Sequence, residues 1–229
     1  MTLNELAKKF DHTLLKATAI ETDIRKLCDE AKTYGFASVC VNPCWVPLAA
    51  ELLDGTGVLV CTVIGFPLGA NATDLKALEA KLALDQGAGE VDMVLNVGWA
   101  LQGRWDQVEQ DIRAVRQASG TATLKVILET CYLSTDQIAK ASQVSTSAGA
   151  NFVKTSTGFG TAGATADHVR LMKKNIKASM QVKASGGIRT LSDTLDLLEA
   201  GADRIGASAS VAIVKEFQGE HGAGVPVGY

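Results

Sequence analysis

The stretch GANFVKTS (residues 149–156) joins the end of a helical pattern to an apolar, strand-like run. Two other stretches, GAGEVDMV (residues 87–94) and GADRIGAS (residues 201–208), have the same layout. A glycine placed directly after a helix adopts the left-handed conformation without steric cost. The recurrence of this turn indicates that one helix-to-strand unit is used repeatedly along the chain.

Eight apolar runs, most of them continuous rather than alternating, are typical of strands that are buried on both faces. They are Phe10–Leu15, Ala37–Asn42, Val58–Phe66, Val91–Val97, Thr123–Glu129, Asn151–Ser156, Met180–Ser185 and Arg204–Ala207. Helical patterns fill the intervals, and one apolar stripe consists of Leu75, Leu78 and Leu82. Capping pairs precede three of the helices, namely Asn71 with Asp74, Ser134 with Gln137 and Thr190 with Asp193. Strands that alternate with helices predict parallel βαβ units.

The order of these elements predicts an α/β protein built as a single (β/α)8 TIM barrel. The units follow one another without a linker or a change of composition, so residues 1–229 are expected to form one domain. An open doubly wound sheet is the alternative, but no Gly-x-Gly-x-x-Gly motif opens a helix after the first strand. The glycine-rich stretch from Gly219 to Tyr229 lacks periodicity and is predicted to be a short flexible C-terminal tail.

Composition limits the classes of function. Apolar residues make up 47% of the 229 residues and charged residues 21%, which indicates a large core rather than disorder. The net charge is −3 and there is no basic stripe, so binding to nucleic acid or to a membrane is not expected. The amino-terminal sequence lacks the apolar segment of a signal peptide, and a cytoplasmic location is expected. The five cysteines and three histidines show no zinc-ligand spacing, and no metal or other cofactor is predicted.

Two neighbouring strands carry a lysine in nearly the same frame. Lys154 lies in the sixth predicted strand and Lys183 in the seventh. Such strands are about 4.8 Å apart, so two inward-pointing ammonium groups would share one confined space. A nearby like charge and removal from water both favour the neutral amine. We therefore predict that Lys154 attacks a carbonyl group to form a Schiff base; the alternative is that both lysines point outward or only bind anions.

Asp92 is a charged residue within the otherwise apolar fourth strand, EVDMVLN (residues 90–96). An ion pair with one of the lysines would explain this position. A compatible interpretation is general acid–base catalysis at the substrate hydroxyl and during loss of water from the carbinolamine. Asp11, near the end of the first strand, is a further candidate of the same type.

Small residues follow the last three strands, where barrels of this kind commonly bind phosphate. Gly186 and Gly187 follow the seventh strand, and Ser208 follows the eighth in the stretch GASAS (residues 206–210). Thr157 and Gly158, after the sixth strand, are predicted to close the same pocket. Backbone N–H groups beside small residues, each followed by a helix, can approach an anion closely. A plain turn is the alternative for any one glycine pair.

Two further residues are candidates for the pocket. Cys40, in the second strand, is interpreted as an apolar pocket wall or as a buried structural thiol. Tyr229, the final residue, is expected either to be disordered or to fold over the mouth of the pocket and relay a proton.

The whole chain resembles the deoxyribose-phosphate aldolase family. The motifs that carry the resemblance are DHTLLK (11–16), SVCVNP (38–43), VIGFPLG (63–69), EVDMVLNVG (90–98), LKVILETCYL (124–133), FVKTSTGF (152–159), VKASGGIRT (182–190) and RIGASAS (204–210). The resemblance implies a metal-independent class I aldolase, a lyase that reversibly cleaves 2-deoxy-D-ribose 5-phosphate to D-glyceraldehyde 3-phosphate and acetaldehyde. It also implies a homodimer with a small sugar phosphate and an aldehyde as its ligands.

The matching motifs imply a role for each catalytic candidate: Lys154 as the Schiff-base lysine, Lys183 as the residue that lowers its proton affinity, and Asp92 as the acid–base. Some family members have a lysine where this chain has Phe159, so phosphate binding is expected to be weaker here or to use Arg189. Two alternatives remain open. One is a Schiff-base aldolase or transaldolase for another sugar phosphate, and the other is a non-catalytic barrel that binds a sugar phosphate.

Overall fold

The computed structural model describes residues 1–219, so most of the predicted tail and the candidate Tyr229 lie outside the described residues. The strands are β1 (Phe10–Leu14), β2 (Ser38–Val41), β3 (Leu59–Ile64), β4 (Glu90–Val94), β5 (Thr123–Ile127), β6 (Phe152–Lys154), β7 (Gln181–Ser185) and β8 (Arg204–Ala207). The helices are α1 (Leu3–Ala7), α2 (Glu21–Tyr34), α3 (Val46–Leu53), α4 (Thr73–Asp85), α5 (Val97–Leu101), α6 (Trp105–Ser119), α7 (Thr135–Ser147), α8 (Ala166–Lys174), α9 (Leu191–Glu199) and α10 (Ser210–Phe217). Short 3-10 turns span Pro43–Trp45 and Thr130–Tyr132.

The eight strands are parallel and close in chain order, with β1 paired to both β2 and β8. The prediction of a TIM barrel is therefore confirmed, and the open sheet is excluded. Each predicted run contains its strand to within one residue, but six of the eight runs continue past the carboxyl end of the strand, where the loops of the site begin. No helix among residues 1–219 has both the length and the apolar character needed to span a bilayer.

The repeated helix-to-strand turn has the predicted conformation. Gly87, Gly149 and Gly201 have φ angles of 105°, 85° and 106°, in the region that favours glycine. The capping pairs of α7 and α9 are also confirmed, because Ser134 and Thr190 each accept a hydrogen bond from the third residue of their helix. The predicted Asn71 cap is wrong: Ala72 occupies the cap position of α4 and makes no side-chain hydrogen bond.

The apolar stripe of α4 is not the buried face of that helix. Leu75, Leu78 and Leu82 are about half exposed, at 57%, 52% and 49%. The buried face of α4 consists instead of Lys76, Ala80 and Ala83. Small alanines let α4 pack closely against its neighbour α6.

Lys76 is fully buried between α4 and α6, where it forms an ion pair with Asp111 at 2.7 Å. The Lys76 ammonium also donates to the Val94 carbonyl at 3.0 Å, and Asp111 accepts from Thr73 at 2.9 Å. Burial lowers the pKa of Lys76, and the charge of Asp111 opposes that change. The ion pair thus links α4 and α6 to the carboxyl end of β4, next to the site.

Candidate active site

Asp92 lies in the middle of β4 and accepts hydrogen bonds from three lysines inside the barrel. Its Oδ1 is 2.9 Å from the Lys125 Nζ, and its Oδ2 is 2.9 Å from the Lys154 Nζ and 2.7 Å from the Lys183 Nζ. All four side chains are buried. The ion pair expected for Asp92 is therefore a cluster, in which one carboxylate oxygen is shared by both lysines of the predicted pair.

Strand register explains how these side chains meet. Lys125 on β5 is the partner of Asp92, and Lys154 on β6 is the partner of Lys183 on β7. In-register partners on adjacent parallel strands point to the same face, which here is the barrel interior. A Cβ placed on Gly206 of β8 would lie 2.9 Å from the Lys183 Cε, so glycine leaves room for this lysine stem.

A second layer of charge lies beneath the lysines, toward the amino ends of the strands. Asp11 of β1 pairs with Lys183 at 2.5 Å and with Arg204 at 2.5 Å, and it accepts from the Ser38 hydroxyl at 2.7 Å. Glu90 of β4 pairs with Lys125 at 2.5 Å and with Arg204 at 3.5 Å. Together the two layers form the interior charge cluster, which consists of Asp11, Glu90, Asp92, Lys125, Lys154, Lys183 and Arg204.

Asp92 and Asp11 are held in the ionised form despite complete burial. Burial alone would raise the pKa of Asp92, but the lysine charges hold that pKa well below its usual range. Burial would likewise raise the pKa of Asp11, and Lys183, Lys125 and Arg204 lower it instead. Burial opposes the charge of Lys183, yet Asp11 and Asp92 raise its pKa above the ordinary lysine value. Lys183 is consequently positively charged throughout the neutral pH range.

The charges of the cluster do not balance. Among the described residues it has four cations, Lys125, Lys154, Lys183 and Arg204, and three carboxylates, Asp11, Glu90 and Asp92. An uncompensated charge is costly in a medium of low dielectric constant. Lys154 is the member of the cluster that lines the open cavity.

The cavity has a volume of about 370 Å³ and lies at the carboxyl ends of the strands. Its lining comes from the loops after β6, β7 and β8, together with Lys154 and residues at the end of β1. Gly158, Gly186 and Gly187 have φ angles of 90°, 87° and 78°. Ser208 lies on the cavity wall, two residues before α10 begins. This combination of glycine amides and a helix start suits an anionic group.

A sequence profile of the DeoC/LacD family aldolases matches residues 6–224. The chain belongs to this aldolase family. It is 56% identical over 213 residues to deoxyribose-phosphate aldolase from Geobacillus sp. (strain WCH70), a match that covers 93% of this chain and 96% of the relative. It is also 56% identical over 220 residues to deoxyribose-phosphate aldolase from Streptococcus sanguinis (strain SK36), covering 96% and 99%. The tetrameric structure of deoxyribose phosphate aldolase from Aeropyrum pernix has a TM-score of 0.89 at 35% identity, covering 95% of this chain and 92% of that one.

The remaining candidates are distributed around the cavity of this aldolase. Thr157 lines it, but its N–H and hydroxyl groups both donate to Glu129. Cys40 lies in a separate buried group with Leu15, Cys61 and Val63 and is not among the lining residues that the structure describes. Asp11, the second residue of β1, lies in the deeper layer, where it pairs with Lys183, and neither of these two residues lines the cavity.

Two aromatic rings meet at the cavity. Phe159, the residue at which some family members have a lysine, lines the cavity, and its ring contacts Phe66 of the loop after β3 in an edge-on geometry at 5.3 Å. Arg189 also lines the cavity and is exposed, so its side chain has room to reach a bound anion. The lining of this aldolase thus places the apolar Phe159 and the cationic Arg189 around the same cavity.

Sequence reasoning did not identify Lys125, Glu90 and Arg204 as parts of the cluster. The signal for Lys125 and Glu90 is the same one that identified Asp92, a charged residue inside an apolar strand. Glu90 precedes Asp92 by two positions, and alternate residues of a strand point to the same face. Arg204 is the first residue of β8, and the sequence pattern predicted its strand but not its part in the cluster.

Proposed function

We propose that this aldolase reversibly cleaves 2-deoxy-D-ribose 5-phosphate to D-glyceraldehyde 3-phosphate and acetaldehyde through a Schiff base on Lys154. The observation that carries the proposal is the position of Lys154, the one member of the interior charge cluster among residues 1–219 that lines the cavity. Lys154 also shares a carboxylate oxygen of Asp92 with a second lysine, and a cationic neighbour in a buried site is one way in which proteins activate a nucleophilic lysine. The names of the two relatives that are 56% identical supply the substrate.

The chemistry begins when the neutral Lys154 amine attacks the C1 carbonyl of the open-chain sugar. Loss of water from the carbinolamine gives an iminium ion, which acts as an electron sink. Removal of the proton from the C3 hydroxyl then sends the electron pair of the C2–C3 bond into the iminium. The three-carbon aldehyde phosphate departs, and an enamine remains on Lys154. Protonation of the enamine at C2 and hydrolysis release acetaldehyde and restore the amine.

Asp92 and Lys183 support the proton transfers in this scheme. Asp92 contacts the Lys154 Nζ at 2.9 Å, within the distance required for proton exchange directly or through one water. Lys183 donates to the same carboxylate oxygen and remains positively charged, which disfavours a second full positive charge beside it. We assign Asp92 as the acid–base group and Lys183 as the cation that favours the neutral form of Lys154.

The phosphate group is assigned to the wall formed by the loops after β6, β7 and β8. Gly158, Gly186 and Gly187 supply close backbone approach, and Ser208 supplies a hydroxyl near the start of α10. Arg189 supplies a positive charge at the rim. Phosphate recognition at this position sets the distance between the anion and the aldehyde that reaches Lys154.

Borohydride reduction in the presence of acetaldehyde, followed by peptide mass mapping, tests the proposal. The expected result is a stable two-carbon adduct on Lys154 and no adduct in the Lys154→Ala variant. That variant is also expected to lose turnover by several orders of magnitude, because covalent catalysis requires the amine. An adduct on Lys183 instead would reverse the assigned roles. Measurement of acetaldehyde release from other sugar phosphates separates this substrate from those of related aldolases.

We further propose that the chain forms a homodimer in the cytoplasm, as a single domain spanning residues 1–229. The half-exposed leucines of α4 are consistent with a protein surface that is covered in an assembly. Sedimentation at several protein concentrations tests the stoichiometry, and a concentration-independent monomer would overturn it.

A further inference from the structure

Glu129 has an unusual backbone conformation immediately after β5. Its φ and ψ angles are 52° and 63°, and among the described residues it is the single non-glycine residue with a positive φ angle. Main-chain hydrogen bonds hold it on both sides: the Leu128 N–H donates to the Lys154 carbonyl at 2.9 Å, and the Thr130 N–H donates to the Thr155 carbonyl at 3.0 Å. A residue other than glycine is strained in this conformation, and it persists there when the surrounding contacts hold it in place.

The Glu129 side chain is buried and directed at the loop after β6. Its two carboxylate oxygens lie 3.2 and 3.3 Å from the Thr157 amide nitrogen, and the Thr157 hydroxyl donates to the same carboxylate. The thiol of Cys131 lies at 3.9 Å. These donors are all uncharged, which differs from the carboxylates of the interior charge cluster. Glu129 therefore acts on the loop rather than on the lysines.

The contact continues into the loop itself. The Thr157 hydroxyl that donates to Glu129 also accepts from the Phe159 N–H at 3.0 Å. A Cβ placed on Gly160 would lie 2.7 Å from the Cys131 Sγ and 3.2 Å from the Glu129 Cδ, so the loop is packed against this carboxylate with no space left. An acceptor-only group is required here, because the N–H and O–H of Thr157 both point at it.

The other end of the loop is anchored on the loop after β7. The Ala164 N–H donates to the Gly186 carbonyl at 3.1 Å. A Cβ on Gly163 would lie only 2.0 Å from that same carbonyl oxygen. The segment 157–163 is thus held between Glu129 and Gly186, and it forms one wall of the cavity.

We propose that Glu129 is a positioning residue that fixes the segment 157–163 as a wall of the phosphate site. The inference rests on the proposed function for the identity of the anion. A carboxylate and a phosphate are both anions, so Glu129 acts through the loop and does not bind the substrate itself. Loss of its acceptor oxygens would release Thr157 and the amides that follow it, while the interior charge cluster stays intact.

Glu129→Gln is the decisive variant, because it keeps the size of the side chain but turns one acceptor into an NH2 donor that faces Thr157. We expect the KM for 2-deoxyribose 5-phosphate to rise by about tenfold or more with a smaller change in kcat. We expect kcat/KM for unphosphorylated 2-deoxyribose to stay within about twofold of the unmodified chain. Glu30→Gln is the matched control: this carboxylate accepts from His12 outside the cavity, and the variant is expected to leave both substrates unaffected.

Equal losses on the phosphorylated and unphosphorylated substrates would overturn the proposal, since they would indicate an effect on the lysines or on the whole fold. Hydrogen–deuterium exchange gives a readout that needs no substrate: amides of 157–163 are expected to exchange faster in Glu129→Gln, and unchanged exchange contradicts the role. Titration with inorganic phosphate should show weaker binding in the variant. Hydrogen–deuterium exchange and phosphate titration test the role of Glu129 without turnover. A failure of the unmodified chain to cleave 2-deoxyribose 5-phosphate would therefore contradict the proposed function alone.

A second variant applies if Glu129→Gln does not fold. Gly160→Ala keeps the carboxylate but drives a methyl group into Cys131 and Glu129. It is expected to raise the KM for the phosphorylated substrate selectively and to accelerate exchange in the same segment. A Gly160→Ala protein with unchanged KM and unchanged exchange would contradict the proposed coupling between Glu129 and the loop.

Discussion

Lys154 and Lys183 are register partners on adjacent strands, and their ammonium groups donate to the same oxygen of Asp92, at 2.9 and 2.7 Å. One carboxylate oxygen thus bridges the two amine groups, and both lysine side chains are buried in the barrel. Of these two lysines, only Lys183 also forms an ion pair with Asp11. Lys183 therefore has two carboxylates beside it, and Lys154 has one. This asymmetry supports the proposed assignment of Lys154, rather than Lys183, as the nucleophile.

Replacing Lys183 with leucine removes the positive neighbour while preserving burial. Lys183 is charged at neutral pH because Asp11 and Asp92 outweigh burial and raise its pKa. Without it, one cation fewer competes with Lys154 for Asp92, and the acidic limb of the kcat/KM profile should move to higher pH by about one unit or more. Lys173→Leu, at an exposed lysine of α8 that pairs with Asp203, is the control. An unmoved acidic limb in Lys183→Leu would show that like-charge repulsion is not responsible.

Asp11→Asn is expected to alter acid stability. The folded-state pKa of Asp11 lies below its unfolded value, so the ionised carboxylate stabilises the fold above about pH 4, and this stabilisation is lost as the pH falls further. The variant should lose about 3 kcal/mol in the free energy of unfolding at pH 7, because Lys183 and Arg204 lose a buried partner. Its stability should fall less steeply below pH 4 than that of the unmodified chain. Urea unfolding at a series of pH values measures both effects, and parallel pH curves for the two proteins would contradict the assignment.

Lys76→Met is expected to lower the free energy of unfolding by about 3–5 kcal/mol, because it leaves Asp111 buried without its cation. The double variant Lys76→Met with Asp111→Leu should recover most of that loss, since apolar replacements of buried pairs are often neutral. Lys81→Met, on the same helix but in an exposed pair with Asp85, should cost less than about 1 kcal/mol. Chemical denaturation of the four proteins provides the comparison, in which equal losses at positions 76 and 81 would be inconsistent with burial of the first pair.

Removal of metal ions is expected to leave activity unchanged. The sulfur atoms of Cys40 and Cys61 and an oxygen of Asp92 lie within 4.8 Å of one another, a grouping that could hold a soft cation. However, both oxygens of Asp92 accept from lysines, whose positive charges repel a metal ion. Activity should therefore survive prolonged dialysis against EDTA. Loss of activity that zinc restores would exclude the metal-independent scheme.

Much of the fold could be predicted because its signals are local. Each buried strand is a short apolar run, and the glycines at positions 87, 149 and 201 mark where helices give way to strands. The buried face of α4 could not be predicted, because two stripes on that helix obey the helical period. Leu75, Leu78 and Leu82 form one, and Lys76, Ala80 and Ala83 form the other. Only the close approach of α6 selects the small residues for the interior, and that approach depends on distant sequence.

The lysine pair of the site could be predicted from strand order, but its surroundings could not. Lys125 lies in β5, and its partner Glu90 lies in β4, 35 positions earlier. Their pairing depends on barrel register, which no single segment encodes. The conformation of Glu129 could not be predicted, because a positive φ angle at a glutamate alters neither the composition of the sequence nor its hydrophobic periodicity.

The interior charge cluster also closes one end of the barrel. Arg204, Glu90 and Lys125 lie in the lumen toward the amino ends of the strands, and within residues 1–219 the cavity opens between the loops at the opposite end. This opening gives the proposed reaction a fixed order of binding and release. The three-carbon aldehyde phosphate has to leave before water and a proton can reach the two-carbon fragment on Lys154, and an incoming aldehyde has to use the same route in synthesis. In the proposed reaction, the two-carbon aldehyde is therefore the last product to be released in cleavage and the first substrate to bind in synthesis.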